Sequence, residues 1–383
     1  MLDRARRDTP ICARLAHFDN AGMSLTPQPV LNTVFAHLSR EQRMGGYAAE
    51  ADRAERLDAG YASLARLVGG KPHEIAFMLN ASRAWELALA SLRLGPGDRV
   101  IAHHTEYVAN RLSLNLLRRD GVEVDLVGSD AAGSMESDAV RKAVTPHTRA
   151  ICATHVPSTH GRVNPVAQIG AVAREAGVPF FLDACQSAGQ IHLDVEAIGC
   201  DVLTATGRKF LRGPRGTGFL WVRESLLPKL EPRFPDFRSA RYDGPDGVAF
   251  VGTARKFETY EHPVAAKLGF IRAVDYALEL GMPAIEARVR QLSAILRSAL
   301  RDAGMTVLPD QTSGIVVFDH PEMEPETVRA ALASRRINVS VSTRDFDTPA
   351  RAVRASVHYY NTEEEIGALV AALGDIHDRE SRS

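Results

Sequence analysis

Apolar residues recur along this chain at two alternating periods, one suited to helices and one to strands. Within residues 28–67, PVLNTVFAHLSREQRM carries them at helical spacing, and a second helix is predicted after a break at Gly45, Gly46 and Tyr47. EIAFML (74–79) is a short apolar run that reads as a strand. NASRAWELALASLRL returns to helical spacing, with Asn80 or Ser82 as its cap. After the turn GPGD come the strand RVIAHH and a helix from about Ala109 to Asp120. The alternation continues through strand VEVDLVG, helix SDAVRKAV, strand RAICATHV, helix PVAQIGAVAREAG closed by Gly177, and strands VPFFLDA, CDVLTATG and GTGFLWVR. Strands alternating with helices, several of them continuously apolar, predict an α/β unit with a mostly parallel sheet covered on both faces.

From about residue 262 the texture changes. Two long amphipathic helices, PVAAKLGFIRAVDYALELG and AIEARVRQLSAILRSALRDAG, precede a strand, helix, strand, strand, helix series that reads as a smaller α+β unit. The expected division is a large domain over residues 16–260, and a small one over 261–383 that the N-terminal segment joins. A length of 383 residues suits two such domains. PRFPDFRSARYDGPDGVAFVGTARKFETYE (232–261) reads as a long polar loop over a pocket mouth, and DRESRS as a frayed tail.

Composition removes several function classes. Lys plus Arg is 46 and Asp plus Glu is 47, so no basic field suggests nucleic acid. Cys12, Cys152, Cys185 and Cys200 form no CxxC pair, so neither a metal site nor a dithiol motif is expected. No apolar run fits a signal peptide or a membrane span. These features suggest a cytoplasmic enzyme without a membrane partner.

Four features carry chemistry. In FFLDACQ, Asp183 follows an unbroken apolar run, which puts it at the carboxyl end of a buried strand, where open α/β sheets bind ligands. It either caps the next helix or faces a cation such as a protonated ring nitrogen. TATGRKFLRGPRGTG places Lys209 just past the next apolar run, beside Arg208 and close to Arg212 and Arg215. That segment is either a solvated basic loop or one half of the aspartate–lysine pair used with pyridoxal 5'-phosphate (PLP). NASRAWE puts Ala81 and Ser82 at a helix start, as a plain cap or as an anion cradle that Thr206 and Arg208 would complete. Arg354, in VRASVHYYNT, is a surface arginine or a fork for a substrate carboxylate.

THVPSTHGRVNP, FLDACQSAGQ, ATGRKFLRGPRGTGFLW and VRASVHYYNTEEEI together resemble the class V aminotransferase family of PLP enzymes, over roughly residues 16–375. The family includes cysteine desulfurases, isopenicillin N epimerase-like proteins and the C–S lyases of ergothioneine biosynthesis. The resemblance implies PLP fold type I, with a seven-stranded-type sheet in the large domain. It makes Lys209 the lysine that bonds the cofactor and Asp183 the partner of its ring nitrogen. It places Gln186 and Ser158 by a ring oxygen and Tyr107, in HTEYVAN, on the ring face. Ala81, Ser82, Thr206 and Arg208 form the phosphate cup. Thr253, in VGTARKFE, reaches the phosphate of a second subunit, which implies a homodimer with shared active sites. Arg354 holds the carboxylate of an amino-acid substrate, and Asn20, Ala21 and Gly22, in FDNAGMS, border its pocket.

The resemblance also carries a departure. Desulfurases keep a nucleophilic cysteine shortly before the RAS motif, and INVSVSTRDFDTPARAVRAS has none. β-Elimination at a cysteine-derived C–S bond is therefore expected. Transamination, epimerisation and a catalytically silent cofactor-binding scaffold stand as alternatives. Tyr107 or Tyr47 is a candidate proton donor in these reactions. Arg238, Arg241, Arg255 and Lys256 either meet an acidic substrate group or are solvated.

Overall fold

Seven of the apolar runs pair into one sheet: β1 (Ile75–Met78), β2 (Arg99–His103), β3 (Glu123–Val127), β4 (Thr148–Thr154), β5 (Phe180–Asp183), β6 (Val202–Thr206) and β7 (Gly218–Val222). The computed structural model describes residues 1–130, 133–343 and 350–380, with side chains through residue 375. The spatial order is β1-β7-β6-β5-β4-β2-β3. β7 runs antiparallel to β1 and β6, and all other neighbours are parallel. The reversal has a local cause. Only residues 207–217 join β6 to β7, and that link holds no crossover helix, so the chain turns straight back. The same short link carries Lys209. β5, β6 and β7 are buried at every position, as expected for strands covered on both faces.

A second, wholly antiparallel sheet has the order Thr306–Val307, Ile315–Asp319, Arg351–Ser356, Ser340–Thr343. Ala16–His17 pairs in parallel with Ile337–Asn338, and Asp19 bridges to Ser356, so the N-terminal segment is stitched to the C-terminal strands. Helix Val264–Leu280 packs against helices Gln28–Met44 and Ala54–Val68, tying the chain beyond residue 260 back to its beginning.

Three local expectations are corrected. Residues 28–67 form three helices, not two, because Gly46–Ala51 is a separate turn between Gly45 (φ +84°) and Asp52. The segment 232–261 is not a structureless loop. Ala240–Asp243 pairs with Gly247–Phe250 in a hairpin turned at Gly244 (φ +71°), and Ala254–Phe257 is a 3-10 turn. A Cβ on Gly247 would sit 1.8 Å from the Asp243 carbonyl, so the hairpin needs glycine there. The final helix runs through Glu380, so the expected fraying does not begin at the DRE of the tail; residues 381–383 lie outside the described residues, as does the 344–349 part of the loop before the RAS motif. Among the described residues, no helix is long and apolar enough to cross a membrane.

Candidate active site

The carboxyl ends of β4, β5 and β6 and the start of helix Ala81–Ala90 enclose a cavity of about 360 Å³. Its walls include Ser82, Tyr107, Asp183, Gln186, Thr206 and Lys209. Parallel winding accounts for this convergence, because every crossover leaves strand ends of the same polarity side by side.

Asp183 ends β5 and is almost wholly buried. Its Oδ1 accepts the Cys185 N–H at 2.8 Å and its Oδ2 accepts from Asn110 Nδ2 at 3.0 Å. The backbone bond closes a local turn, so Asp183 caps no helix and its carboxylate borders the cavity. Lys209 is 7% exposed, with Nζ 5.7 Å from the centroid of the Tyr107 ring. Burial holds its amine below the ordinary lysine range. Cys185 and Asp183 oppose that shift, while Arg208 and Arg354 add to it. The solvated-loop reading of TATGRKF therefore fails, and desolvation outweighs neighbouring charge in favouring a neutral amine.

The Lys209 link is held on both sides. The Gly213 N–H bonds Gly207 O at 2.8 Å, the Arg212 N–H bonds Lys209 O at 2.9 Å, and His358 Nε2 meets Phe210 O at 2.9 Å. Gly189 (φ +97°) backs the same turn, and a Cβ there would lie 2.3 Å from the Phe210 carbonyl carbon. Gly189→Ala is expected to displace Lys209 and weaken cofactor binding at least about tenfold, at a stability cost of about 2 kcal/mol. Spectroscopic titration with cofactor and denaturant unfolding measure the two effects, and an unchanged titration would show that the turn absorbs the methyl group.

At the helix start, Asn80 is the cap, accepting the Arg83 N–H at 2.9 Å. Ser82 is thereby left to line the cavity with Thr206 and Arg208. Gln186 donates Nε2–H to Ala21 O at 3.1 Å, and its Oε1 is buried in the cavity wall without a partner among the described residues. A hydroxyl on a bound ring would satisfy that oxygen. An orphaned acceptor, a carboxylate at one end, and a helix start with an arginine at the other fit a ring that carries a hydroxyl, a basic nitrogen and a phosphate.

Arg354 is not a surface residue. Burial lowers its pKa, opposed by Asp19. Its Nε bonds Ser340 Oγ at 3.1 Å, Nη1 bonds Ser158 O at 3.3 Å and Nη2 lies 3.4 Å from Asp19 Oδ1. Ser158 lines the cavity while its carbonyl orients Arg354. Asn20, Ala21 and Gly22 stand behind the cavity wall. Asn20 Nδ2 bonds Ser356 O at 2.6 Å, the Ala21 N–H bonds Ser356 Oγ at 2.8 Å, and Gly22 O accepts from Arg208.

Arg354, like Asn20, Ala21 and Gly22, touches residues of the wall without lining the cavity itself, and two further expected residues lie apart from this group within one chain. Tyr47 is 73% exposed and packs against Tyr260, and Thr253 precedes the 3-10 turn; neither lines the cavity. The cations of 232–261 are mostly engaged elsewhere. Arg238 pairs with Glu50, Arg255 with Asp58, and Lys256 donates to Leu227 O and Leu230 O. The sequence reading missed Glu106, Asn110 and Thr154. The first two flank Tyr107 in HTEYVAN, and polar residues just past a buried strand were the available signal.

The model of the class-V aminotransferase family matches residues 16–369. A probable hercynylcysteine sulfoxide lyase of Mycobacterium tuberculosis is 32% identical over 97% of this chain and 93% of its own. A probable cysteine desulfurase of Methanothermobacter thermautotrophicus is 29% identical over 97% of both chains. A variant of the cystine C–S lyase C-DES, solved with glycine covalently linked to its PLP cofactor, superposes with a TM-score of 0.89 at 22% identity, covering 97% of this chain and 99% of that one. A match over that length makes this chain a member of the class-V aminotransferase family of PLP-dependent enzymes, and one of the cysteine desulfurase and C–S lyase type.

Proposed function

We propose that the chain cleaves a C–S bond of a cysteine-derived amino acid by β-elimination, without passing sulfur to a protein cysteine. The observation that carries this reading is the placement of its thiols. No cysteine follows Cys200, and Cys185 alone among the four lines the cavity. Cys185 is only half-buried at the cavity wall, where desolvation and then the Asp183 charge raise its thiol pKa and disfavour the thiolate that would accept sulfur.

The residues divide the work as follows. Thr206, Arg208, the Ser82 hydroxyl and the backbone N–H groups of Ala81 and Ser82 would hold the phosphate. Asp183 would hold the ring nitrogen in its cationic form, Gln186 and Ser158 would lie by the ring hydroxyl, and Tyr107 would cover one ring face. When bound, PLP supplies an electron-withdrawing ring that makes the substrate Cα–H acidic. Arg354 binds the substrate carboxylate through its fork and fixes Cα near Lys209. The neutral Lys209 amine takes the Cα proton. The Cβ–S bond then breaks with its electron pair on sulfur, which leaves as a thiolate or, from a sulfoxide, a sulfenate and takes up the proton that Lys209 removed to give the thiol or sulfenic acid. The remaining three-carbon enamine hydrolyses to pyruvate and ammonia.

Arg354→Ala is expected to raise KM about 100-fold, equivalent to about 3 kcal/mol, with a smaller change in kcat. Steady-state kinetics test this, and an unchanged KM would move the carboxylate elsewhere. A second copy of the chain would complete the site through Thr253 and cover the exposed Phe35, Leu38, Met44 and Tyr47. Sedimentation should then give twice the chain mass, and a monomer that retains cofactor would refute the shared site.

The direct test is to incubate the loaded protein with cysteine S-conjugates, cysteine sulfoxides and common amino acids, and to assay pyruvate, ammonia and sulfide. Pyruvate from an S-conjugate, retained in Cys185→Ala, supports elimination without a protein persulfide. Keto acid or inverted amino acid in place of pyruvate would favour the aminotransferase or epimerase alternative.

A further inference from the structure

Glu106 is a buried acid that this mechanism leaves unused. It lies just past β2, directly before Tyr107, with no exposed surface. Its Oε1 accepts the Thr154 N–H and its Oε2 the Thr154 hydroxyl, both at 2.8 Å. Asn110 also hydrogen-bonds Glu106 while donating Nδ2–H to Asp183 Oδ2 at 3.0 Å. Thr154 and Asp183 are register partners at the ends of β4 and β5. Three neighbouring strand ends thus bring two carboxylates into one hydrogen-bonded unit, with a single amide between them.

Each of these donors to Glu106 is neutral. The ionisable groups facing it are Asp183 from β5 and Cys152 from β4, and burial keeps the Cys152 thiol neutral. Two carboxylates sharing a dry site ionise together only at high cost. Burial lifts the Glu106 carboxyl from 4.5 to about 7; the Thr154 bonds oppose that shift and the Asp183 charge adds to it.

We propose that Glu106 is a positioning partner of Asp183, acting through Asn110, which holds a proton while the cavity is empty and releases it to solvent when a cationic ring nitrogen binds against Asp183. A ring cation cancels the Asp183 charge and attracts the second carboxylate, so both can then be ionised. Asn110 keeps one N–H on each carboxylate in either state, so the Asp183 oxygen that meets the ring stays in place.

The inference rests on the assignment of Asp183 to the ring nitrogen. The experiment is calorimetric titration of cofactor-free protein with PLP, in buffers of differing ionisation enthalpy, across about pH 5–8. Wild type is expected to release more protons per PLP bound than Glu106→Gln, with an excess of about half a proton near pH 7 for a shift of about one unit. Over that range, wild-type affinity should rise about tenfold relative to Glu106→Gln. Equal proton release and parallel affinity profiles overturn the proposal. If Glu106→Gln does not fold, Thr154→Val removes a bond that lowers the Glu106 pKa. It should move the release midpoint to higher pH, and an unmoved midpoint overturns the proposal equally.

Asp183→Asn separates the two assignments. If it leaves PLP affinity and the bound spectrum unchanged, the Asp183 assignment fails. If it changes them while wild type and Glu106→Gln release equal protons, only the Glu106 inference fails. A second readout needs no cofactor. Because the folded pKa is raised, the stability from Glu106 is fully present below about 4.5 and is lost as pH rises through about 7. The cofactor-free Glu106→Gln protein should lack that loss.

Discussion

Lys209→Ala is expected to abolish pyruvate formation, with kcat falling about 10⁴-fold, while the fold survives. The residue sits where three demands meet. Its link is short enough to place it at the end of β6, next to Asp183 at the end of β5. Burial favours its neutral amine, the form able to accept a proton. Its position near Tyr107 puts the amine beside the wall that would cover the ring face. Removing a buried amine relieves a desolvation cost, so stability should change little. Quenched assays on cofactor-loaded wild type and variant measure the loss. Added methylamine, a small base able to enter the emptied cavity, should restore part of the rate. A variant that keeps a tenth or more of wild-type kcat, about a thousandfold above the expected residual rate, would exclude Lys209 as the base.

Arg212→Met is expected to cost about 4 kcal/mol of stability and to loosen the Lys209 link. Arg212 is 1% exposed and takes φ +60°, a left-handed conformation rare outside glycine. Nε bonds Leu25 O at 2.8 Å, Nη1 bonds the Tyr359 hydroxyl at 2.9 Å and Nη2 bonds Thr9 Oγ1. Its guanidinium carbon lies 4.3 Å from the Tyr360 ring centroid. One side chain therefore pins the N-terminal segment and the HYYN turn against the catalytic link. Methionine would keep most of the volume but leave those buried acceptors unpaired. Denaturant unfolding and PLP titration should show both losses, and an unshifted unfolding midpoint would mean that the rings alone hold the junction.

The motifs around Lys209 and Asp183 were legible because each follows an apolar run that can only be a covered strand, and strand ends are where ligands bind in such sheets. The partial burial of Arg354 was not legible. Its environment is built from Ser340 on the neighbouring strand, Asp19 from the N-terminal segment and the Ser158 carbonyl, three segments far apart in sequence. The role of Asn80 as cap, which leaves Ser82 to the cavity, needed backbone angles that two adjacent cap-forming residues do not reveal. The hairpin in 232–261 went unseen because its strands form a separate, largely exposed two-stranded ribbon, where no strict apolar alternation marks them.

By itself, the order of residues determined the strand and helix runs, the α/β class and the aspartate–lysine pair. These depend on spacing along the backbone, which local geometry reads directly. Only the tertiary structure decided that Glu106, Asn110, Thr154 and Asp183 form one hydrogen-bonded unit, and that Tyr47 and Thr253 lie outside the cavity of their own chain. The reason is physical. Parallel winding sets strand ends side by side in an order unrelated to their order in sequence, so the neighbours of a buried charge are fixed by the sheet.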